Sequence, residues 1–169
     1  MVCFSDIRYC TKDSWFQVKE AEIGLAADVG ALQQLPKIIG NQSLARELCF
    51  SGMHCLKFVS YKMVSFLSVS ARKFDAQEAL EIGFVNRVFD DKESLMNFAV
   101  EMAESMAKKS PVAIQGTKIN LNYARDHSVQ EGLDFIAHWN MSMLQSEDLM
   151  KAAIAMISKD DEPPQFSKL

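Results

Sequence analysis

The sequence predicts an α/β fold in which short strands lie in the N-terminal half and helices make up the C-terminal half. Apolar and polar residues alternate from Trp15 to Ala21, as in a half-buried strand, and the run Phe84 to Phe89 predicts a second short strand. From Glu93 onwards, apolar residues recur at helical spacing and capping residues separate successive segments. Strands and helices in one chain of this size indicate the α/β class.

Composition narrows the class of protein further. The 169 residues are 49% hydrophobic and 24% charged, which is typical of one globular domain. The net charge of −4 and the lack of a basic stripe argue against nucleic acid as a partner. Four cysteines, Cys3, Cys10, Cys49 and Cys55, show no metal-binding or redox spacing, so free thiols in a reducing compartment and no metal site are expected.

The helices are predicted from periodicity and caps. In the first half, a short helix is expected to end near Pro36, a second to run from Asn41 to Phe50 with Ser43 as its cap, and a third to run from Asp75 to Ile82. In the second half, the predicted helices cover Glu93–Lys108, Ser110 to about Tyr123, the segment that follows the capping box Ser128-x-x-Glu131, and Glu147–Ile157.

The stretch from Phe16 to Gly40 carries two acids on either side of an apolar run. In the predicted strand, Glu20 shares a face with Phe16 and Val18, which is an unusual place for an exposed acid. Gly24 predicts a turn, and Asp28 stands just before the next helix. The residues alone favour the simpler interpretations, in which Glu20 is a solvated acid at a strand end beside Lys19 and Asp28 is a helix N-cap.

This stretch resembles the crotonase (enoyl-CoA hydratase/isomerase) superfamily. The resembling residues are FQVKEAEIGLAADVGALQQLPKIIG, and the similarity continues through Asn41–Leu44, Ala71–Phe89 and Ser110–Leu144. In hydratases the position matching Glu20 is usually a glutamate, whereas the position matching Asp28 is typically a glycine. With an aspartate at position 28, the sequence therefore resembles the dienoyl-CoA isomerase branch of the superfamily.

The resemblance implies that the protein isomerises 3,5-dienoyl-CoA to 2,4-dienoyl-CoA in fatty acid β-oxidation. It assigns Asp28 as the base at C2 and Glu20 as the acid at C6, with a CoA thioester as substrate and no cofactor. Two alternatives stay open: a non-catalytic subunit that assembles with full-length homologues, and a plain enoyl-CoA hydratase, which Asp28 disfavours.

The same resemblance divides the chain into three regions. Residues 1–109 are expected to form a partial crotonase core, 110–159 a helical oligomerisation region that builds a homotrimer or hexamer, and 160–169 a tail. Family members carry earlier strands and both oxyanion-hole donors before the position of Met1, so a truncated sheet is expected. Residues 52–70 have no counterpart in the family, and because Lys57 and Lys62 interrupt them, they predict an insertion that does not span a membrane.

The chain ends in Ser167-Lys168-Leu169, which is the peroxisomal import tripeptide. No signal peptide or Arg-rich amphipathic transit segment is evident near Met1. The sequence therefore predicts the peroxisome as the location and the import receptor as a partner, although full-length family members also allow the mitochondrion.

Overall fold

The computed structural model of the chain describes residues 2–50, 72–158 and 164–166. The chain forms two compact units, Met1–Asn97 and Phe98–Leu169. The predicted insertion at 52–70 and the tripeptide Ser167-Lys168-Leu169 lie outside the described residues. In the described part of the chain, no helix is long and apolar enough to cross a bilayer.

The first unit combines two small sheets with short helices. Its elements are a 3₁₀ helix at Val2–Phe4, β1 (Tyr9–Thr11), β2 (Trp15–Phe16), a 3₁₀ helix at Glu20–Ile23, α1 (Ala31–Ile39), α2 (Gln42–Phe50), β3 (Phe74–Asp75), α3 (Ala76–Glu81) and β4 (Arg87–Phe89). Strand β1 pairs in parallel with β4, and β2 pairs antiparallel with β3. Helix α4 (Lys92–Ala107) follows β4 and contains the boundary between the units.

The core of the first unit is apolar and combines residues of β1, β3 and the helices α1, α2 and α3. Leu35 of α1 and Leu48 of α2 are fully buried, and Phe74 and Phe84 join them in one cluster with Cys10 of β1. Burying one such leucine contributes about 1.5–3 kcal/mol. The helices and strands of this unit are thus held by a shared core, because the strands are too short to be stable alone.

Arg72 connects the helices on either side of the segment that the structure does not describe. Its Nε atom lies 3.1 Å from Glu47 Oε1 on α2, and its Nη1 atom donates to Glu78 Oε2 on α3 at 2.8 Å. A second guanidinium nitrogen bonds the other Glu78 oxygen, so the contact is bidentate. Hydrogen bonds to Glu78 raise the pKa of Arg72 above its ordinary value.

The predicted strand Trp15–Ala21 is wrong beyond Phe16. Strand β2 pairs only through Trp15 and Phe16, and the chain then turns into a 3₁₀ helix that begins at Glu20. The alternation still describes burial, since Phe16 and Val18 both pack against the core. The β2–β3 ladder contains only two pairs, Trp15–Asp75 and Phe16–Phe74, and does not extend to Gln17.

Two predicted helix ends also differ from the structure. Helix α1 continues through Pro36 to Ile39 and ends at Gly40. A proline inside a helix costs about 3 kcal/mol, but α1 gains the burial of Leu35 and the packing of Ile38 and Ile39. The cap of α2 is Asn41 and not Ser43, because Asn41 Oδ1 accepts the Leu44 N–H at 3.0 Å.

The remaining helix predictions are confirmed. Asp75 caps α3 by accepting the Glu78 N–H at 2.8 Å. The second predicted strand, Phe84–Phe89, is shorter than predicted, because β4 covers only Arg87–Phe89. The second unit contains α5 (Pro111–Ala124), α6 (Val129–Met143) and α7 (Glu147–Ser158). Ser110 caps α5, and Ser128 and Glu131 form the predicted capping box of α6.

Candidate functional site

A cavity of about 320 Å³ opens in the first unit. Its volume falls at the lower end of the range of roughly 300–1,000 Å³ that is usual for small-molecule sites. Most of its wall is apolar, formed by Val2, Trp15, Phe16, Val18, Val29, Ala31, Leu35, Phe74 and Phe84, and its other lining residues are Cys3, Gln17 and Glu20.

Three phenylalanines that pack against one another form one side of this cavity. Phe16 and Phe74 are opposite each other in the β2–β3 pair, with ring centroids 5.4 Å apart. Phe84 lies edge-on to both, at 5.1 Å from Phe16 and 5.4 Å from Phe74. Because such pairs hold defined geometries, this side of the cavity is preorganised for an apolar ligand.

Glu20 supplies the carboxylate in the wall of this cavity. It is the first residue of the 3₁₀ helix, is half-buried, and lies among the lining residues with Phe16 and Val18, as the predicted face required. The interpretation of Glu20 as a solvated acid at a strand end beside Lys19 does not match this position. Lys19 instead lies 3.9 Å from the carboxylate of Glu22.

Two thiols lie close to Glu20, and no spacing in the sequence indicated this grouping. Cys3 is half-buried in the cavity wall, and Cys49 of α2 is buried in the adjoining core. Burial raises the pKa of the Cys49 thiol, and the charges of Glu20 and Cys3 raise it further. Burial also raises the pKa of Cys3, against the opposing charge of Arg8.

Asp28 is exposed and is not among the residues that line the cavity. Its neighbours Ala27 and Val29 are respectively buried and part of the cavity wall. Asp28 does not cap α1 either, because that helix begins at Ala31 after Gly30 and has no side-chain cap. The structure thus places Glu20 in the cavity and Asp28 just outside its wall.

The second unit has a separate cavity of about 360 Å³ between α5, α6 and α7. At its edge the Ser110 hydroxyl donates a hydrogen bond to Asp148 Oδ2 at 2.5 Å. Asp148 is 7% exposed and lies in the first turn of α7, where the helix dipole favours a negative charge. His138 is exposed on α6.

Comparison with known proteins identifies the family. The enoyl-CoA hydratase/isomerase family model matches residues 55–167. The mitochondrial Delta(3,5)-Delta(2,4)-dienoyl-CoA isomerase of Mus musculus is 52% identical over the whole chain, which covers 46% of that protein. The peroxisomal Delta(3,5)-Delta(2,4)-dienoyl-CoA isomerase of Arabidopsis thaliana is 37% identical over the whole chain, which covers 53% of that protein.

Solved structures agree on the fold. The crystal structure of enoyl-CoA hydratase from Bacillus anthracis superposes with a TM-score of 0.77 at 22% identity, covering 97% of this chain and 55% of that one. The chain therefore has a partial α/β crotonase fold, as the sequence predicted, and it spans about half the length of the curated relatives it matches. On these grounds, the chain belongs to the enoyl-CoA hydratase/isomerase family.

Proposed function

We propose that the protein acts on fatty acyl-CoA thioesters in β-oxidation and isomerises 3,5-dienoyl-CoA to 2,4-dienoyl-CoA. The observation that carries the proposal is the half-buried Glu20 in a cavity walled by aromatic and aliphatic side chains. The similarity to proteins named dienoyl-CoA isomerases supports the choice of reaction, because it extends over the whole chain.

The reaction moves two double bonds by one proton removal and one proton return. A base takes a proton from C2, next to the thioester, and electrons shift along the conjugated chain until C6 accepts a proton from an acid. Two carboxyl groups at separated positions along a bound chain suit this sequence of steps. We assign the acid at C6 to Glu20, which has access to the cavity, and the base at C2 to Asp28.

The assigned roles place different demands on the two acids. In this assignment Glu20 contacts the apolar part of the substrate inside the cavity and donates the proton to C6. Asp28 adjoins the wall through Val29 but is exposed, so its role as base requires the thioester end of the substrate to lie over that outer surface. The substrate itself would then exclude water from Asp28.

Purified protein given a 3,5-dienoyl-CoA should produce the absorbance of the conjugated 2,4 product. Because Glu20 and Asp28 each take part in a proton transfer, Glu20→Gln and Asp28→Asn should each lower kcat by about 10²–10⁴-fold. Glu22→Gln is the matched control for Glu20, since Glu22 lies on the same 3₁₀ helix but outside the cavity wall. Turnover that is unchanged in both site variants would overturn the assignment.

We further propose that the C-terminal helices mediate self-association into a trimer or hexamer. In the described part of the second unit, Val129 is 82% exposed, Met156 82% and Ile157 83%. Large apolar side chains exposed in this number on a few helices mark an interaction surface.

We propose peroxisomal import for a chain that carries Ser167-Lys168-Leu169 at its carboxyl terminus. The name of the Arabidopsis thaliana relative supports the peroxisome, whereas the name of the Mus musculus relative gives the mitochondrion. A fluorescent protein fused before the chain should enter peroxisomes, and removal of the tripeptide should leave it outside. Mitochondrial fluorescence with the tripeptide intact would contradict the proposal.

A further inference from the structure

Asp148 is a buried acid in the wall of the cavity of the second unit. It is 7% exposed, and it is one of the residues that line the space of about 360 Å³ between α5, α6 and α7. Its Oδ2 atom accepts the hydrogen bond from the Ser110 hydroxyl. Because Ser110 is neutral, this bond leaves the negative charge of the carboxylate without an opposite charge.

The second carboxylate oxygen of Asp148, Oδ1, is available to a ligand. In the part of the chain that the structure describes, the carboxylate forms no ion pair and no hydrogen bond besides the one with Ser110. Among the same residues, no fully buried side-chain oxygen or nitrogen lacks a hydrogen-bond partner. Oδ1 therefore keeps contact with solvent, and because Asp148 is otherwise enclosed, that contact is through the cavity.

The rest of the cavity wall is mostly apolar and offers no positive charge. Its aliphatic side chains include Val112, Ile136, Leu144 and Leu149. Its other polar side chains are those of Thr117, Asn140 and Ser146, which are neutral, and no described lysine, arginine or histidine lines it. A ligand with a positive head group and a hydrocarbon body would complement such a wall.

Two features of the wall favour a positive head group. Asp148 lies in the first turn of α7, where the helix dipole stabilises its charged form. Trp139 belongs to the same wall, and indole is the side-chain ring that attracts ammonium groups most strongly across its face. The ring is seated on the bare backbone of Gly116, since a Cβ atom added there would lie 2.6 Å from Trp139 Nε1.

We propose that this cavity binds an aliphatic primary ammonium ion, with its nitrogen at Asp148 Oδ1 and its hydrocarbon chain along the apolar wall. In apolar surroundings a carboxylate attracts a cation more strongly than it does in water, because the local dielectric constant is lower. An anionic ligand would instead bring a like charge to Asp148. The site lies within the second unit, and it does not depend on the proposed acyl-CoA reaction.

The test is titration of the whole protein with alkylammonium ions, followed through the fluorescence of Trp139. Trp15, the other tryptophan of the chain, is replaced with phenylalanine so that the signal reports this cavity. Octylammonium should bind, and butylammonium should bind more weakly, by about fourfold for each buried methylene that it lacks. Octanol and octanoate should each bind about tenfold or more weakly than octylammonium.

Three variants separate the charge from the apolar wall. Asp148→Asn keeps an oxygen for Ser110 but removes the charge, so it should weaken octylammonium binding by about tenfold or more. Glu147→Gln is the matched control, because the Glu147 side chain is 84% exposed and does not line the cavity, and affinity should stay unchanged. Ala152→Leu adds volume to the wall and should weaken the binding of octylammonium and octanol alike.

Two results would overturn the proposal. One is the absence of octylammonium binding to the Trp15→Phe protein. The other is an affinity that Asp148→Asn leaves unchanged, which would show that the hydrocarbon chain binds without the charge. If circular dichroism shows that Asp148→Asn does not fold, the parent protein decides the question, since equal affinities for octylammonium and octanoate would contradict a role for Asp148.

Discussion

Glu20 is the acidic residue among the side chains that line the cavity of the first unit. Its carboxylate lies among aromatic and aliphatic groups because the chain leaves strand β2 after Phe16 and winds into a 3₁₀ helix. The alternating pattern predicted the face that Glu20 shares with Phe16 and Val18, although it predicted the wrong backbone. Asp28 is a candidate only through its place in a family motif, since nothing in the local physics distinguishes it from a loop aspartate.

Cys3 offers a probe of the cavity at the residue scale. Burial raises the pKa of its thiol above the ordinary value, so less thiolate is present at neutral pH than in an exposed cysteine. Alkylation of Cys3 by iodoacetamide should therefore reach half its maximal rate at a higher pH in the folded protein than in the unfolded protein. Mass spectrometry of the Cys3 peptide measures this rate, and the same peptide from urea-unfolded protein is the control.

Bound acyl-CoA should slow the alkylation of Cys3 further, because it would cover a thiol in the cavity wall. Cys10 and Cys49, which are buried outside that wall, should not change their low reactivity. Equal rates for Cys3 in the folded and unfolded protein would contradict its position in the structure.

At the scale of helices and strands, the sequence predicted features that depend on neighbouring residues and missed those that depend on distant contacts. The caps at Asp75, Ser110 and Ser128 are formed between residues three positions apart, so the sequence was sufficient to find them. The short length of β2 depends on β3, nearly sixty residues later, and the sequence pattern could not show that. The passage of α1 through Pro36 similarly depends on tertiary burial of Leu35.

Ser110 has a second role that its capping motif does not reveal. Its oxygen accepts the Ala113 N–H at 3.2 Å, and its hydroxyl donates to the buried Asp148 carboxylate. Ser110→Ala should lose about 1 kcal/mol from the cap. Leaving Asp148 without this donor should cost a further 1–3 kcal/mol or so.

Ser128→Ala is the matched control, because Ser128 caps α6 at an exposed site and should cost only about 1 kcal/mol. Urea unfolding midpoints compare the two variants. A Ser110→Ala variant that is no less stable than Ser128→Ala would show that the bond to Asp148 contributes nothing to stability.

At the scale of the whole molecule, the described part of the C-terminal helices exposes several large apolar side chains. If these side chains mediate self-association, replacing Met156 and Ile157 with lysine should lower the mass measured by light scattering, because a buried lysine charge destabilises an apolar interface. Gln145→Lys adds a charge at an exposed polar position of the same unit and should leave the mass unchanged. A monomeric wild-type protein would contradict the proposed assembly.

The ion pairs of Arg72 with Glu47 and Glu78 hold together the two sides of the junction between residues 50 and 72. The length of the polypeptide can therefore change at this junction. The two flanks are already held together, so the entropy of closing whatever joins them changes by only about 0.6 kcal/mol for each doubling of its length. An evolving gene can therefore gain or lose sequence here at little cost to the surrounding core. For the same reason, an epitope tag or a reporter peptide introduced at this junction should be tolerated.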